Sequence, residues 1–187
     1  MRLGPPSIIH MLLVLAPLGV LGSFSGAPGQ EVDSAVRDAY LRVVGEHFEV
    51  PLQEVVTIGE WELSSDEVPV VLFVAQRAGV SPDALIGVRR GGLAWFEVAG
   101  RFGLDARAFH LPLPSETGLG ILTRAFEEFN RRPPQEWDQI RLEDGEIVAL
   151  VNLRVLSEQT GTSPLRILSV REERGSFLAS YPYLIRR

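Results

Sequence analysis

Hydrophobic positions along most of this chain recur at the three- and four-residue spacing of helices. Residues 31–48 place valines and a tyrosine on one face, which predicts an amphipathic helix. Residues 52–58 predict a second, shorter helix. The run over residues 70–75 is apolar on every side, a pattern that suits either a buried helix or a buried strand.

The residues that start and stop helices favour a helix for that apolar run. Ser64 and Glu67 have capping-box spacing, in which each side chain satisfies the backbone N–H of the other residue. Pro69 fits a first helical turn, where its missing donor costs little, and Gly79 is placed to end the helix. Another helix is then predicted to begin at Ser81, immediately before a proline.

The middle of the chain alternates between helical and loop patterns. A helix is predicted over residues 94–101 and ends near Gly103. The stretch "LDARAFHLPLPSETG", residues 104–118, predicts a loop because its two prolines block regular structure. Helical spacing returns over residues 121–129, and "NRRPP" ends it. No strand alternation persists in either half, so the sequence predicts an all-α fold.

The second half repeats the capping and apolar positions of the first half at an offset of 82 residues. The pairs are Gly79 with Gly161, Ser81 with Ser163, Pro82 with Pro164, Leu85 with Ile167, Ile86 with Leu168, Val88 with Val170, Arg89 with Arg171, and Trp95 with Phe177. Upstream, "LSSDEVPVV" resembles "LEDGEIVAL" at an offset of 79, which predicts three extra residues in the later helix.

This repeat predicts two similar multi-helix units packed into one helical domain. The first unit is expected over residues 26–111, and a loop plus the second unit over residues 112–187. The alternative is chance similarity, because Gly-x-Ser-Pro is common at the start of helices.

The N-terminus has the order of a secretory signal peptide, predicted over residues 1–25. A short basic start precedes an apolar run over residues 8–21, and small residues follow it. The run is short for a transmembrane helix and is interrupted by His10 and Pro17. We therefore expect a periplasmic or extracellular protein without a membrane span after cleavage; an uncleaved anchor is the alternative.

Composition excludes several kinds of chemistry. All 18 basic residues are arginine, so Schiff-base lysines and the P-loop lysine are excluded. The absence of cysteine excludes disulfides, thiol nucleophiles and thiolate metal sites. The formal net charge of −6 argues against a nucleic-acid partner.

The two histidines beyond residue 25 lack the neighbours that chemistry would require. His47 stands beside Glu46 and Glu49 at a helix end, with no further ligand at metal-site spacing, so we expect a solvated histidine. His110 lies in the predicted loop, and no recognisable motif supplies a partner for it. A small-ligand binder or atypical hydrolase that uses the His110 loop remains an alternative.

Other candidate residues also favour structural roles. Neighbouring acids such as Glu60 and Glu62, or Glu127 and Glu128, are typical of solvated surfaces. The three tryptophans, Trp61, Trp95 and Trp137, are expected to close the core. The sequence therefore predicts no catalytic, cofactor-binding or metal-ligating residue.

One segment is similar to helix-turn-helix motifs, which bind DNA. The matching residues in "GLAWFEVAGRFGL" are Gly92, Leu93, Trp95, Glu97, Val98, Ala99, Phe102, Gly103 and Leu104. The resemblance implies a recognition helix after Leu104 with exposed polar side chains. The prolines that follow argue against such a helix, so a nucleic-acid-binding module is kept only as an alternative.

Most of the chain also resembles a loosely defined group of exported bacterial helical proteins of unassigned activity. These proteins carry "G-V-S-P-x-x-V-x-x-L-R-x-x-G-x-x-W" units, similar to residues 79–95. The resemblance implies an exported helical protein and no particular chemistry. The sequence as a whole predicts an exported, non-enzymatic protein that is envelope-associated, with a protein partner or self-association.

Overall fold

The computed structural model describes residue 1 and residues 28–113 and 118–185, and every regular element there is a helix. The all-α prediction is confirmed. The α-helices of these residues are α1 (Pro28–Phe48), α2 (Leu52–Gly59), α3 (Val68–Ala78), α4 (Pro82–Arg90), α5 (Trp95–Arg101), α6 (Ala106–Phe109), α7 (Thr123–Arg131), α8 (Asp144–Thr160), α9 (Pro164–Arg174) and α10 (Phe177–Leu184). Short 3-10 helices occupy Ser65–Glu67, Gly120–Leu122 and Pro134–Gln139.

Two helices form the centre of the core. In α3 all residues from Val68 to Ala75 are buried, and in α8 nine residues are buried. These helices pack against each other, and α1 packs against both of them. The remaining contacts surround this centre: α4 lies on α3, α9 on α8, and α10 against α9 and α1.

The described residues contain no helix that is both long and apolar enough to cross a membrane. Residues 2–25 of the predicted signal peptide lie outside the described part of the chain.

The predicted helix boundaries are largely confirmed by the capping contacts. The Ser64 N–H donates to the Glu67 carboxylate at 3.0 Å, as the capping-box spacing predicts. Gly79 and Gly161 end α3 and α8 with φ of 67° and 69°, a left-handed conformation that strains residues with a β-carbon. Ser163 caps α9 by accepting from the Arg166 N–H at 3.4 Å.

The predicted loop over residues 104–118 is partly wrong, because it contains α6. Asp105 caps this helix by accepting from the Arg107 N–H at 2.9 Å. Ala106 and Phe109 are fully buried, so tertiary packing holds a single helical turn that the local pattern does not indicate.

The helical segment that ends at Gly161 is three residues longer than the one that ends at Gly79, when the 3-10 turn before α3 is counted with it. In the first half, the three residues of Ser65–Glu67 lead directly into the eleven residues of α3. In the second half, α8 alone has 17 residues, which is three more than those 14. The organisation into two similar units stays a prediction.

One buried polar side chain links the centre of the fold. Asn152 of α8 is fully buried and accepts a hydrogen bond from the Tyr40 hydroxyl of α1. Its amide donates to the backbone oxygens of Asp66 and Val148, both at 2.8 Å. Burial, with a further contribution from the Asp66 charge, raises the pKa of Tyr40 well above its ordinary value, which keeps the hydroxyl a donor.

Replacing Tyr40 by phenylalanine should lower the free energy of unfolding by about 1–3 kcal/mol, because the Asn152 oxygen would remain buried without its donor. Urea unfolding followed by circular dichroism measures this loss. The double variant Tyr40→Phe/Asn152→Ala should lose less stability than the two single variants lose in total, because both substitutions remove the same hydrogen bond. Strict additivity would show that the bond contributes nothing.

Candidate functional site

A network of charged side chains centres on Arg89, at the end of α4. Its guanidinium donates to the Glu67 carboxylate at 2.9 Å and to the Leu93 carbonyl oxygen at 2.7 Å. It also pairs with Asp144 at 2.8 Å and lies 4.9 Å from the centre of the Trp95 ring. The network therefore joins the entry of α3, the turn before α5 and the start of α8.

Glu67 is the acceptor that holds this network together. It accepts from the Trp95 indole N–H at 2.9 Å, in addition to Arg89 and the Ser64 N–H. Burial works to raise the pKa of the Glu67 carboxyl, but these donors outweigh burial and hold the pKa below its ordinary value. Glu67 is therefore ionised at neutral pH and fully occupied by donors from its own chain.

Carboxylates from one half of the chain also cap helices in the other half. Asp144 accepts from the backbone N–H of Trp95 at 2.6 Å, at the start of α5. Asp66 accepts from the backbone N–H groups of Phe177 and Leu178 at 2.8 and 2.9 Å, at the start of α10. Each helix start thus receives its acceptor from a residue far away in sequence.

Arg171 is the sequence counterpart of Arg89 but makes different contacts. Its guanidinium carbon lies 5.8 Å from the centre of the Phe177 ring. Its Nε atom is buried and has no hydrogen-bond partner, and none of the ion pairs in the described residues involves it. The two equivalent arginines therefore differ in their partners: Arg89 forms close ion pairs, whereas the charge of Arg171 acts on Asp66 without one and opposes the burial that raises the pKa of Asp66.

A polar recess of about 440 Å³ opens beside the Arg89 network. It is lined by Trp61, Glu62, Leu63, Glu67, Arg89 and Arg90. Glu62 has a left-handed backbone with φ of 61°, and it lies in the turn between α2 and the capping box of Ser64. This turn brings an aromatic, an acidic and an apolar side chain to the same recess.

An apolar groove of about 240 Å³ lies at the exit of α3. Its lining comprises Phe48, Val50, Glu54, Leu72, Ala75, Gln76, Gly79, Val80 and Pro82. Most of these side chains are apolar, while Glu54 and Gln76 are exposed at the rim. The groove therefore combines a hydrophobic floor with polar edges.

His110 is half-buried among aromatic rings. Its ring centre lies 4.4 Å from that of Trp137 and 4.8 Å from that of Phe129. Burial lowers the pKa of His110, and the charge of Arg154, which donates to the His110 carbonyl oxygen, lowers it further. None of the described carboxylates forms an ion pair with His110, so the geometry favours a packing role over acid–base chemistry.

The expectation of a solvated His47 is wrong. Its side chain is only 12% exposed and lies 3.3 Å from the Glu158 carboxylate of α8. Burial lowers the pKa of His47 despite the opposing charge of Glu158. The residue closes the contact between α1 and α8, and sequence spacing could not show this because its partner lies 111 positions away.

The helix-turn-helix segment is used for internal packing. Trp95 is fully buried, as expected, and Arg89 points into the charged network instead of towards solvent. Glu97 caps α5 and pairs with Arg141 at 2.8 Å. The helix that follows, α6, has four residues, which is short for a recognition helix.

The other residues considered as candidates do not form a metal site in the described part of the chain. No group of three or more potential metal ligands occurs in residues 28–113 and 118–185. The sequence predicts that Trp61 closes the core; its half-buried side chain packs against the core and also lines the polar recess. Its position between two glutamates was the only local signal of this exposure.

Replacing Arg89 by methionine should lower the free energy of unfolding by about 1–3 kcal/mol at pH 7, because Glu67 and Asp144 lose their cation. Partial exposure keeps the loss below that of a fully buried pair. Because the folded-state pKa of Glu67 is depressed, this advantage is lost as the pH falls below 4.5 and through that lower pKa. Denaturant unfolding of both proteins between pH 3 and pH 7 measures the difference.

Arg171→Met is the matched control, because Arg171 occupies the equivalent position without an ion pair to a described carboxylate. Its loss should be smaller than that of Arg89→Met, because it removes a cation–π contact and a charge that acts on Asp66 without a close ion pair. Equal losses in the two variants would contradict a special role for the Arg89 network.

Comparison of the chain with models of known protein families, with curated proteins and with solved structures finds no match in any of the three.

Proposed function

We propose that this chain is an exported, non-enzymatic helical protein that binds a protein partner in the cell envelope. The observation that carries the proposal is the apolar groove at the exit of α3. The export signal predicted over residues 1–25 supports the compartment. The charged side chains of the Arg89 network support a structural use of polar groups, because their partners lie within the chain.

The groove has the composition of the centre of a protein interface. Leu72 and Phe48 form a buried floor, and the half-buried Val80 and Pro82 form part of a wall. A hydrophobic centre with a polar rim is the arrangement that protein interfaces share. The volume suits one large apolar side chain of a partner, with the exposed Glu54 favouring a basic residue beside it.

We also propose that the domain consists of two similar units that exchange helix caps. Asp66 of the first unit caps α10, and Asp144 of the second unit caps α5. In both units an arginine faces the aromatic residue that begins the capped helix. This reciprocity supports an internal repeat.

Export predicts that the protein made from the full sequence reaches the periplasm or the medium and starts after Gly22 or Ser25. Deleting residues 1–25 should leave it in the cytoplasm. Fractionation followed by N-terminal mass spectrometry measures both outcomes. Full-length protein in the membrane fraction would instead support an uncleaved anchor, and full-length protein in the cytoplasm would contradict export.

A photo-cross-linking residue in place of Gln76, at the rim of the groove, should form an adduct with one discrete protein in the envelope. Val80→Glu should abolish this adduct, because it places a charge on the apolar wall. Gel mobility and mass spectrometry of the adduct provide the measurement.

Val36→Glu is the control, since Val36 is a half-buried valine of α1 that does not line the groove. The adduct should persist in this variant. An adduct that survives Val80→Glu, or none in the parent protein, would rule out the groove as the binding surface.

A further inference from the structure

The polar recess contains a hydrogen-bond donor for which the described residues supply no acceptor. The indole N–H of Trp95 donates to Glu67, and that of Trp137 donates to the backbone oxygens of Phe129 and Arg132. The indole N–H of Trp61 has no acceptor among the described residues. Trp61 is also half-buried and lines the recess, so part of its side chain is accessible there.

Two of the charged groups beside Trp61 are only weakly paired. Arg90 approaches Glu62 only at 4.0 Å, and the two side chains are 54% and 84% exposed. By contrast, Glu67 and Arg89 bind each other at 2.9 Å in the wall of the same recess. The recess therefore offers a wall of paired groups and two exposed groups, one of which donates and one of which accepts hydrogen bonds.

We propose that this recess binds a neutral saccharide, with one sugar ring stacked on Trp61. A sugar ring has a face of C–H groups that packs on an aromatic surface and an edge of hydroxyls that both donate and accept. Glu62 would accept from hydroxyls, while Arg90 and the Trp61 N–H would donate to them. The volume of about 440 Å³ accommodates one or two sugar rings.

The charge balance of the recess favours a neutral ligand over an ionic one. Two carboxylates and two guanidinium groups line it, so neither an anion nor a cation gains a net attraction. A peptide that inserts an apolar side chain would find a better floor in the groove at the exit of α3, where Leu72 and Phe48 are buried. The saccharide site is therefore separate from the proposed protein-binding surface and does not depend on it.

The proposal is tested with the purified full chain and a panel of neutral tetrasaccharides: N-acetylchitotetraose, cellotetraose and maltotetraose. Isothermal titration calorimetry should detect binding of at least one of them with a Kd on the order of 0.1–1 mM, as expected for one stacked ring. Tryptophan fluorescence should change on binding, because Trp61 is the partly exposed indole at the recess. No binding across the panel would overturn the proposal.

Substitutions in the recess test whether the saccharide binds there. Trp61→Ala should weaken binding by at least about tenfold, and Arg90→Ala by a smaller factor, with the circular dichroism spectrum unchanged. Trp61→Phe keeps an aromatic face but loses the N–H, so its affinity should lie between those of the parent and Trp61→Ala. Trp137→Phe is the matched control, because its indole lies against His110, away from the recess lining.

Two outcomes distinguish other ligands. Equal weakening by Trp61→Ala and Trp137→Phe would overturn the assignment to this recess. Binding of a neutral tetrapeptide such as Gly-Ala-Leu-Gly at Trp61, without binding of any saccharide, would overturn the ligand class. Neither result would alter the cross-linking expected at Gln76, so failure here is separate from failure of the protein-binding proposal.

Discussion

The fold depends on hydrogen-bond acceptors for the backbone N–H groups at the helix starts that surround an apolar centre. Because α3 and α8 are buried along most of their length, the backbone donors at neighbouring helix starts also lie within reach of the interior. Asp66 and Asp144 supply acceptors for two of these starts, α10 and α5. Each carboxylate has an arginine as its counter-charge: Arg89 pairs with Asp144, and the charge of Arg171 acts on Asp66. Burial raises the pKa of Asp66, whereas its bonds from Phe177 and Leu178 act in the opposite direction, so capping and desolvation oppose each other at this residue.

Capping residues and hydrophobic spacing, which act over a few positions, made most of the helices predictable. The features that the sequence did not predict depend on contacts between residues far apart in the chain. The capping box of Ser64 and Glu67 and the glycine that ends α3 operate within a few residues, so the sequence shows them directly. The bond from Trp95 to Asp144 spans 49 positions, and no local pattern encodes it. The same limit explains the errors at His47, whose partner lies on α8, and at α6, which depends on burial of Phe109.

The two candidate surfaces differ in how the chain uses its side chains. At the exit of α3, apolar residues of the core continue to the surface and leave hydrophobic area in contact with solvent. At Trp61, polar groups line the recess while the neighbouring Arg89 network is closed by its own bonds. The sequence could not distinguish the three tryptophans, because it predicts the same role, closing the core, for all of them. In the structure the three differ in the acceptor of the indole N–H: Trp95 donates to Glu67 and Trp137 to the Phe129 carbonyl oxygen, whereas Trp61 has no acceptor among the described residues.

The buried Asn152 has a consequence for how these surfaces can communicate. Its side-chain amide accepts a hydrogen bond from the Tyr40 hydroxyl and donates one to the backbone oxygen of Asp66. A displacement of α8 by one turn, about 5.4 Å, would carry its amide away from both partners into apolar surroundings. Piston-like transmission along α8, of the kind in which one helix ratchets past its neighbours, is thereby opposed. α8 therefore acts as a fixed reference against which the other helices are positioned.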